Sequence, residues 1–222
     1  MSYTVNKETP VAIADRLDRA DFPLLLQQFL YNQLIPSHHY TSVDDIPLSD
    51  LPKINPHAKL SIYHSAVSTF FAPSNLSGVG GMHRERIHAL PSWRWGPACY
   101  DTVLVSTNGE LEGMLGFNVG HVRLFFSFIF DDVEYPCTLI DWYNHIADSP
   151  DGDTGMWIVK AVSGNSAIIH IDAILQCAHL IPVFGPRYVD RQLGLTFSNS
   201  LDAFLAYYVN KYADHHMHEI VF

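Results

Sequence analysis

Thirteen histidines invite a metal, and the densest group is the run Asp214-His215-His216-Met217-His218-Glu219. A zinc ion needs three or four ligands converging tetrahedrally, whereas consecutive residues of a helix or strand point in different directions. The run therefore reads as a polar tail or a capping region, and the pair His38-His39 offers less still. Asp148, Asp151 and Asp153 with Gly152 and Gly155 approximate a calcium loop, but the distal bidentate Glu is missing, which leaves a solvated turn.

Nucleophiles fare no better. Cys177 stands two residues before His179, yet its apolar neighbours mark a packing cysteine rather than a thiolate. Ser166, in Gly164-Asn165-Ser166-Ala167, lacks the second glycine of a nucleophile elbow. Gly78-Val79-Gly80-Gly81 has His83 where a nucleotide-binding loop needs its third glycine, so a flexible turn is expected. A two-metal nuclease takes its acids from separated strands and a helix of an α/β sheet, whereas the acids of residues 101–158 gather in turns. These residues predict a non-enzymatic chain with no catalytic group, metal or cofactor. A metal-dependent hydrolase built on histidines and aspartates is the alternative.

Two groups could bind without reacting. Asp141, Trp142, Tyr143 and Trp157 offer the carboxylate and aromatic faces that hold a cationic side chain of a basic protein tail. Side chains alternate along a strand, so only one of Trp142 and Tyr143 can join Trp157 in such a pocket. The other group is Lys53, Lys59, Arg84, Arg86 and Arg94: residues 51–100 hold five basic and one acidic side chain, a surplus of four positive charges. Residues 101–158 hold ten acidic residues and one basic, so DNA could be met only through 51–100.

These side chains need elements to carry them. Residues 11–34 have helical periodicity, with Asp21 able to cap, Pro23 in a first turn, and Phe22, Leu25, Leu26, Phe29, Leu30 and Leu34 on one face. Prolines 36, 47, 52 and 56 then forbid long helices up to about Leu60, and residues 61–72 fit neither strand nor helix cleanly. From Asp101 onward, β-branched and aromatic runs predict strands at Thr102–Thr107, Gly120–Phe130, Glu134–Ile146, Gly155–Ser163 and Ser166–Ile171. Asp131-Asp132 reads as a tight turn and Asp148–Gly155 as a longer loop. Short connections suggest a meander closing into a barrel. Asp172–His179 reads as a brief helical turn and Leu180–Phe184 as a last strand. Ser198 or Ser200 can cap a helix through Leu201, Phe204, Leu205, Tyr208 and Tyr212.

Composition sets the outer limits. The chain is 222 residues long, 48% hydrophobic and only 16% charged, which excludes disorder through low hydrophobicity. A net charge of -10 excludes coating of nucleic acid through overall basicity. Cys99, Cys137 and Cys177 are odd in number and unpaired in spacing, so neither a disulfide framework nor a cysteine zinc knuckle is encoded. The apolar runs are broken by Arg123, His170 and Asp172, and the first residues lack an apolar stretch, so a soluble intracellular chain without membrane contact is expected.

Longer motifs carry a likeness. Tyr63-His64-Ser65-Ala66, Phe71-Ala72-Pro73-Ser74-Asn75-Leu76-Ser77-Gly78-Val79-Gly80-Gly81-Met82, Arg123-Leu124-Phe125-Phe126-Ser127-Phe128, Tyr135-Pro136-Cys137 and Asp153-Thr154-Gly155-Met156-Trp157 resemble the C-terminal region of fungal Plavaka-type transposase-like proteins, of the CACTA-related class. So do Ala178-His179-Leu180-Ile181-Pro182-Val183-Phe184-Gly185 and Tyr208-Val209-Asn210-Lys211-Tyr212-Ala213-Asp214-His215-His216, in order from about Leu60 to Phe222. Asp141 stands before Trp142 where that family often has His. The recombinase core is absent, so the resemblance implies a remnant of a mobile element or a piece of a larger protein, a nuclear setting, and no catalytic residue.

The expectation is an α+β chain: a helical arm and Pro-rich linker over 1–57, then a transposase-associated C-terminal domain over 58–222, with a small antiparallel β-barrel at about 101–185 and a C-terminal helix at about 199–214. Its expected role is a non-catalytic interaction module that meets a basic protein tail, or DNA through residues 51–100.

Overall fold

The amphipathic run 11–34 folds as two helices rather than one. The computed structural model describes residues 6–35, 46–74, 79–185, 194–196 and 198–221; His38, His39 and Gly78 lie outside them. After a short strand β1 (Asn6–Glu8), the Thr9 hydroxyl accepts from Ala12 N–H at 3.2 Å and Pro10 opens α1 (Pro10–Leu17). Asp18 ends it in the left-handed conformation (φ 53°), letting Arg19 N–H reach back to Ala14 O at 2.8 Å. The chain restarts as α2 (Phe22–Leu34), with Pro23 in its first turn. Asp21 holds the cap position without capping, because its carboxylate is taken by Arg19 at 3.1 Å.

Residues 46–59 form no helix or strand, as their prolines require. The ambiguous stretch that follows is β2 (Leu60–Tyr63) and β3 (Ser65–Phe71), split at His64. Next come β4 (Met82–Leu90), β5 (Cys99–Tyr100), β6 (Thr102–Ser106), β7 (Phe117–Phe130) and β8 (Val133–His145). The chain continues as β9 (Ile158–His170), β10 (Ile174–Cys177), β11 (Leu180–Pro182), β12 (Tyr207–Val209) and α3 (His215–Ile220). The fold is α+β and mostly antiparallel sheet. Among the described residues no helix is long and apolar enough to cross a membrane.

β7 is the spine. Along one edge it pairs β6 near its start (Ser106 with Phe117, Thr102 with His121) and β2 further on (Tyr63 with Phe125, Ser61 with Ser127). The other edge carries β8, joined through Asp131-Asp132, whose φ values of 48° and 62° make a two-residue hairpin turn with the twist of the strands. The nine-stranded sheet runs β1-β2-β7-β8-β9-β12-β11, with β6 and β10 branching from β7; β3-β4-β5 form a separate sheet.

Four expectations are corrected here. No sheet closes into a barrel over 101–185: the ladder is open and branched, β10 lying on β6 and β11 on β12. The two strands expected at 155–163 and 166–171 are one strand, whose register with β8 shifts beside Gly164 (φ 76°), a bulge within the strand rather than a break. Of the segment 172–179 only Asp172 and Ala173 are helical, closing the short turn Ile171–Ala173, and β10 takes Ile174–Cys177. The helix expected at 199–214 does not form. Residues 198–202 make turns, and Tyr207 and Val209 are buried at period two in β12. The Tyr207 hydroxyl holds those turns, donating to Ser200 O at 3.0 Å and accepting from Phe204 N–H at 3.2 Å. The helix forms later as α3, where Asp214 accepts from Met217 N–H at 2.7 Å and His216 and Met217 are buried, so the histidine run caps and packs.

Three large apolar clusters result, beside a small one of Tyr31, Ile46 and Leu51. Ile13, Phe22, Leu26 and Phe29 of the helices lie on Leu124, Phe126 and Leu139 of the sheet. Ala66, Ile87 and Ala89 of the small sheet lie on Val103, Phe125 and Ile140. Tyr143, Trp157, Tyr207, Val209 and Met217 fill the third. Changeover from the helix-covered cluster to the third falls on β8 between Leu139 and Tyr143, where the register with β9 also shifts. Asp141 stands at that seam.

Candidate functional site

A carboxylate at a seam between apolar clusters must be neutralised. Asp141 accepts from Arg19, in the turn between α1 and α2, at 2.8 Å, and from Arg123 of β7 at 2.6 Å. The Ser166 hydroxyl of β9 donates to it as well. Burial alone pushes the Asp141 carboxyl up, but Ser166 and the two guanidiniums outweigh burial and hold it below the usual carboxylate range. The bond to Asp21 is the largest influence on Arg19 and raises its pKa further, burial opposing and Asp141 adding. Beside them His121 is 4% exposed, donates from Nε2 to Tyr100 O at 3.2 Å, and is pushed down to about 4 by burial and then by Arg123. These groups line a cleft of about 410 Å³. Its charges are paired, Arg19 with Asp21 and Asp141, and Arg123 with Asp141.

The aromatic candidates separate along this seam. Tyr143 and Trp157 are brought together, but inside the third cluster: Tyr143 packs edge-on to Tyr207 with ring centres 5.8 Å apart, and Trp157 lies 5.2 Å from the His145 ring. Trp142 faces the small-sheet cluster instead. Asp141, the carboxylate of the same candidate set, is occupied by Arg19 and Arg123.

The basic candidates also separate. Lys53 and Lys59 are exposed on the stretch before β2, which is tied to the helices through Gln27 Nε2 donating to Pro52 O at 3.0 Å and through Ile54 in the helix-side cluster. Arg84 and Arg86 lie on β4 of the small sheet, and Arg94 on the connection from β4 to β5. Period two along β4 sends Ile87 and Ala89 inward and Met82, Arg84 and Arg86 outward. The β3 partners of these outward residues are Phe71, Thr69 and Val67, and Phe71 is 60% exposed. Arg86 is steered by donating to Ser65 Oγ at 3.0 Å.

Arg94 sits at the tip of the β4–β5 connection, where Gly96 N–H bonds Trp93 O at 2.8 Å and closes a four-residue turn. Its two central residues, Arg94 (φ 50°) and Trp95 (φ 67°), are both left-handed, a conformation that bulky side chains resist at roughly 1–2 kcal/mol each. Three bonds hold the strain: the turn bond itself, Trp93 N–H to Pro97 O at 2.9 Å and Ser92 Oγ to Gly96 O at 2.8 Å. Trp95 projects fully exposed, and the Arg94 guanidinium lies 5.3 Å over the Trp93 ring. The arrangement offers cations for phosphate and ring faces for bases.

Sequence reasoning missed Arg19, His121 and Ser166 as partners of Asp141, and Phe71 and Trp95 as exposed rings. One signal was available: Arg123 is the single cation among the ten acids of residues 101–158, so it had to find a carboxylate. Compared with protein-family models, curated proteins and solved structures, the chain matches none.

Proposed function

We propose that this chain is a non-catalytic nucleic-acid-contacting module whose contact surface is the outer face of β3–β4–β5 with the Trp93–Gly96 turn. The observation that carries it is Arg94 beside the fully exposed Trp95 at the tip of a hairpin turn, bulky side chains in left-handed positions that Asp131 and Asp132 show a small polar residue fills at less cost. Arg84 and Arg86 add two cations on the outward side of β4, and Phe71 adds a second exposed ring. Exposed aromatics beside arginines suit unpaired bases, which stack on rings without sequence preference. The net charge of -10 confines contact to this face. The likeness to the C-terminal region of Plavaka-type proteins supports descent from a DNA transposon and a nuclear setting. Capture of a basic tail by Asp141, Trp142 or Tyr143, and Trp157 is the weaker reading, because Asp141 already faces two guanidiniums.

Fluorescence anisotropy with labelled single-stranded DNA tests the proposal. Three arginines give a log–log salt slope of about 2, from about 0.7 per phosphate on a single strand. Trp95→Ala should weaken binding by roughly 5–150-fold, the range of one lost base stack. Arg84→Glu with Arg86→Glu should abolish it. No binding near 50 mM salt, or binding indifferent to these changes, would sink the proposal.

A further inference from the structure

The β4–β5 ladder pairs Ala89 with Tyr100 and Leu90 with Cys99, and continues as Asp101 N–H bonding His88 O at 3.0 Å. Asp101 is thus opposite His88, and Cys99 lies two residues before it, so period two puts all three side chains on one face. His88 Nδ1 is 2.9 Å from one Asp101 oxygen, and Cys99 Sγ is 3.8 Å from the other. The three donor atoms lie within 4.8 Å of one another, and all three residues are half-buried. Ligands at ordinary zinc distances stand roughly 3.3–3.8 Å apart around a tetrahedral ion, so small side-chain rotations suffice.

We propose that His88, Cys99 and Asp101 form a binding site for a zinc-class divalent transition metal ion, with a fourth position open to the adjoining cleft. Imidazole, thiolate and carboxylate together select borderline metals over calcium or magnesium, which take oxygen ligands. The cleft, about 730 Å³, is also lined by Cys177 and His179 and has room for a water or other fourth ligand. Burial and the Asp101 carboxylate push the Cys99 thiol up, so without a cation it keeps its proton, and a bound metal would release that proton as the ligand forms. The ion would bridge β4 to β5 and close the connection that carries the Trp93–Gly96 turn. The site stands on its ligand geometry and does not depend on nucleic-acid binding.

The full chain, stripped with chelator under reducing conditions, is titrated with Co²⁺ and then Zn²⁺. One Co²⁺ per chain with thiolate-to-metal charge-transfer absorption is expected, displaced by Zn²⁺. Cys99→Ser should abolish that absorption, and Asp101→Asn should weaken Zn²⁺ by about 100-fold or more. A chain carrying both His215→Ala and His218→Ala should bind as before. If Cys99→Ser fails to fold, His88→Gln carries the same readout. Absence of charge-transfer absorption at tenfold excess of Co²⁺ would overturn the inference. So would full binding by Cys99→Ser with loss in the His215 and His218 variant.

Discussion

Asp141 joins Arg19 and Arg123 from two different elements, so removing its charge leaves Arg19 to Asp21 and Arg123 to the exposed Asp202, 3.9 Å away, at a seam between apolar clusters. Asp141→Asn is expected to cost about 2 kcal/mol in denaturant titration, below the ~3–5 of a fully buried pair because the site is partly open. A cost under about 0.5 would mean that the network contributes little. Its pKa is lowered, so the unfolded chain takes up a proton first and this stabilisation drains away as pH falls below the ordinary carboxylate range. His121 acts at milder pH with the same sign. Its folded value of about 4 lies below the ordinary 6.5, so stability is full above about 6.5 and declines towards 4, by about 3 kcal/mol at most. His145, lowered mainly by burial, adds to the decline. His121→Gln should flatten most of it, and an unchanged curve from pH 7 to 4 would refute the assignment. The acid–aromatic grouping around Asp141 was readable as a place that holds cations. That Arg19 is one of those cations was not, because Arg19 and Asp141 are 122 residues apart and meet only once helices and sheet have packed.

At the scale of elements, β12 shows how a helical pattern loses to pairing. Leu201, Phe204, Leu205, Tyr208 and Tyr212 sit at helical spacing, yet Leu205 is 94% exposed while Tyr207 and Val209 are buried. β12 takes hydrogen bonds from β9 on one side and β11 on the other, and neither partner can be seen in the local sequence. Tyr207→Phe should cost about 1–2 kcal/mol for two hydrogen bonds, and Tyr207→Ala about 4, while Leu205→Ala stays within about 0.5. A large loss at Leu205 would restore the helix. The long strands β7 and β8 and the Asp131-Asp132 turn were legible because alternation and turn residues are local signals. β4 was missed because its outward face reads as polar and basic, and its inward Ile87 and Ala89 are too few to stand out.

For the whole molecule, the N-terminal helices cover one face of the sheet. Phe22 is fully buried and meets Phe126 edge-on, with ring centres 5.5 Å apart. Phe22→Ala should therefore cost about 3–5 kcal/mol, and deletion of residues 1–34 should leave a sheet that aggregates through Leu124, Phe126 and Phe128. A deleted chain that stays monomeric in size-exclusion chromatography would show that the helices are dispensable.

Strand β7 is hydrogen-bonded to β8 along one edge and to β6 and β2 along the other, with apolar clusters on both faces. Its partner β8 is reached across only two residues, so the hairpin can close before any distant segment arrives. The most enclosed strand is thus also among the quickest to assemble, which makes it a natural kinetic nucleus. In native-state hydrogen exchange the amides of Phe125 and Phe126 should be among the last to open, at the free energy of global unfolding, while those of β1 and β11 trade with solvent through local fraying. Exchange at Phe126 as fast as at Ile181 would place the nucleus elsewhere.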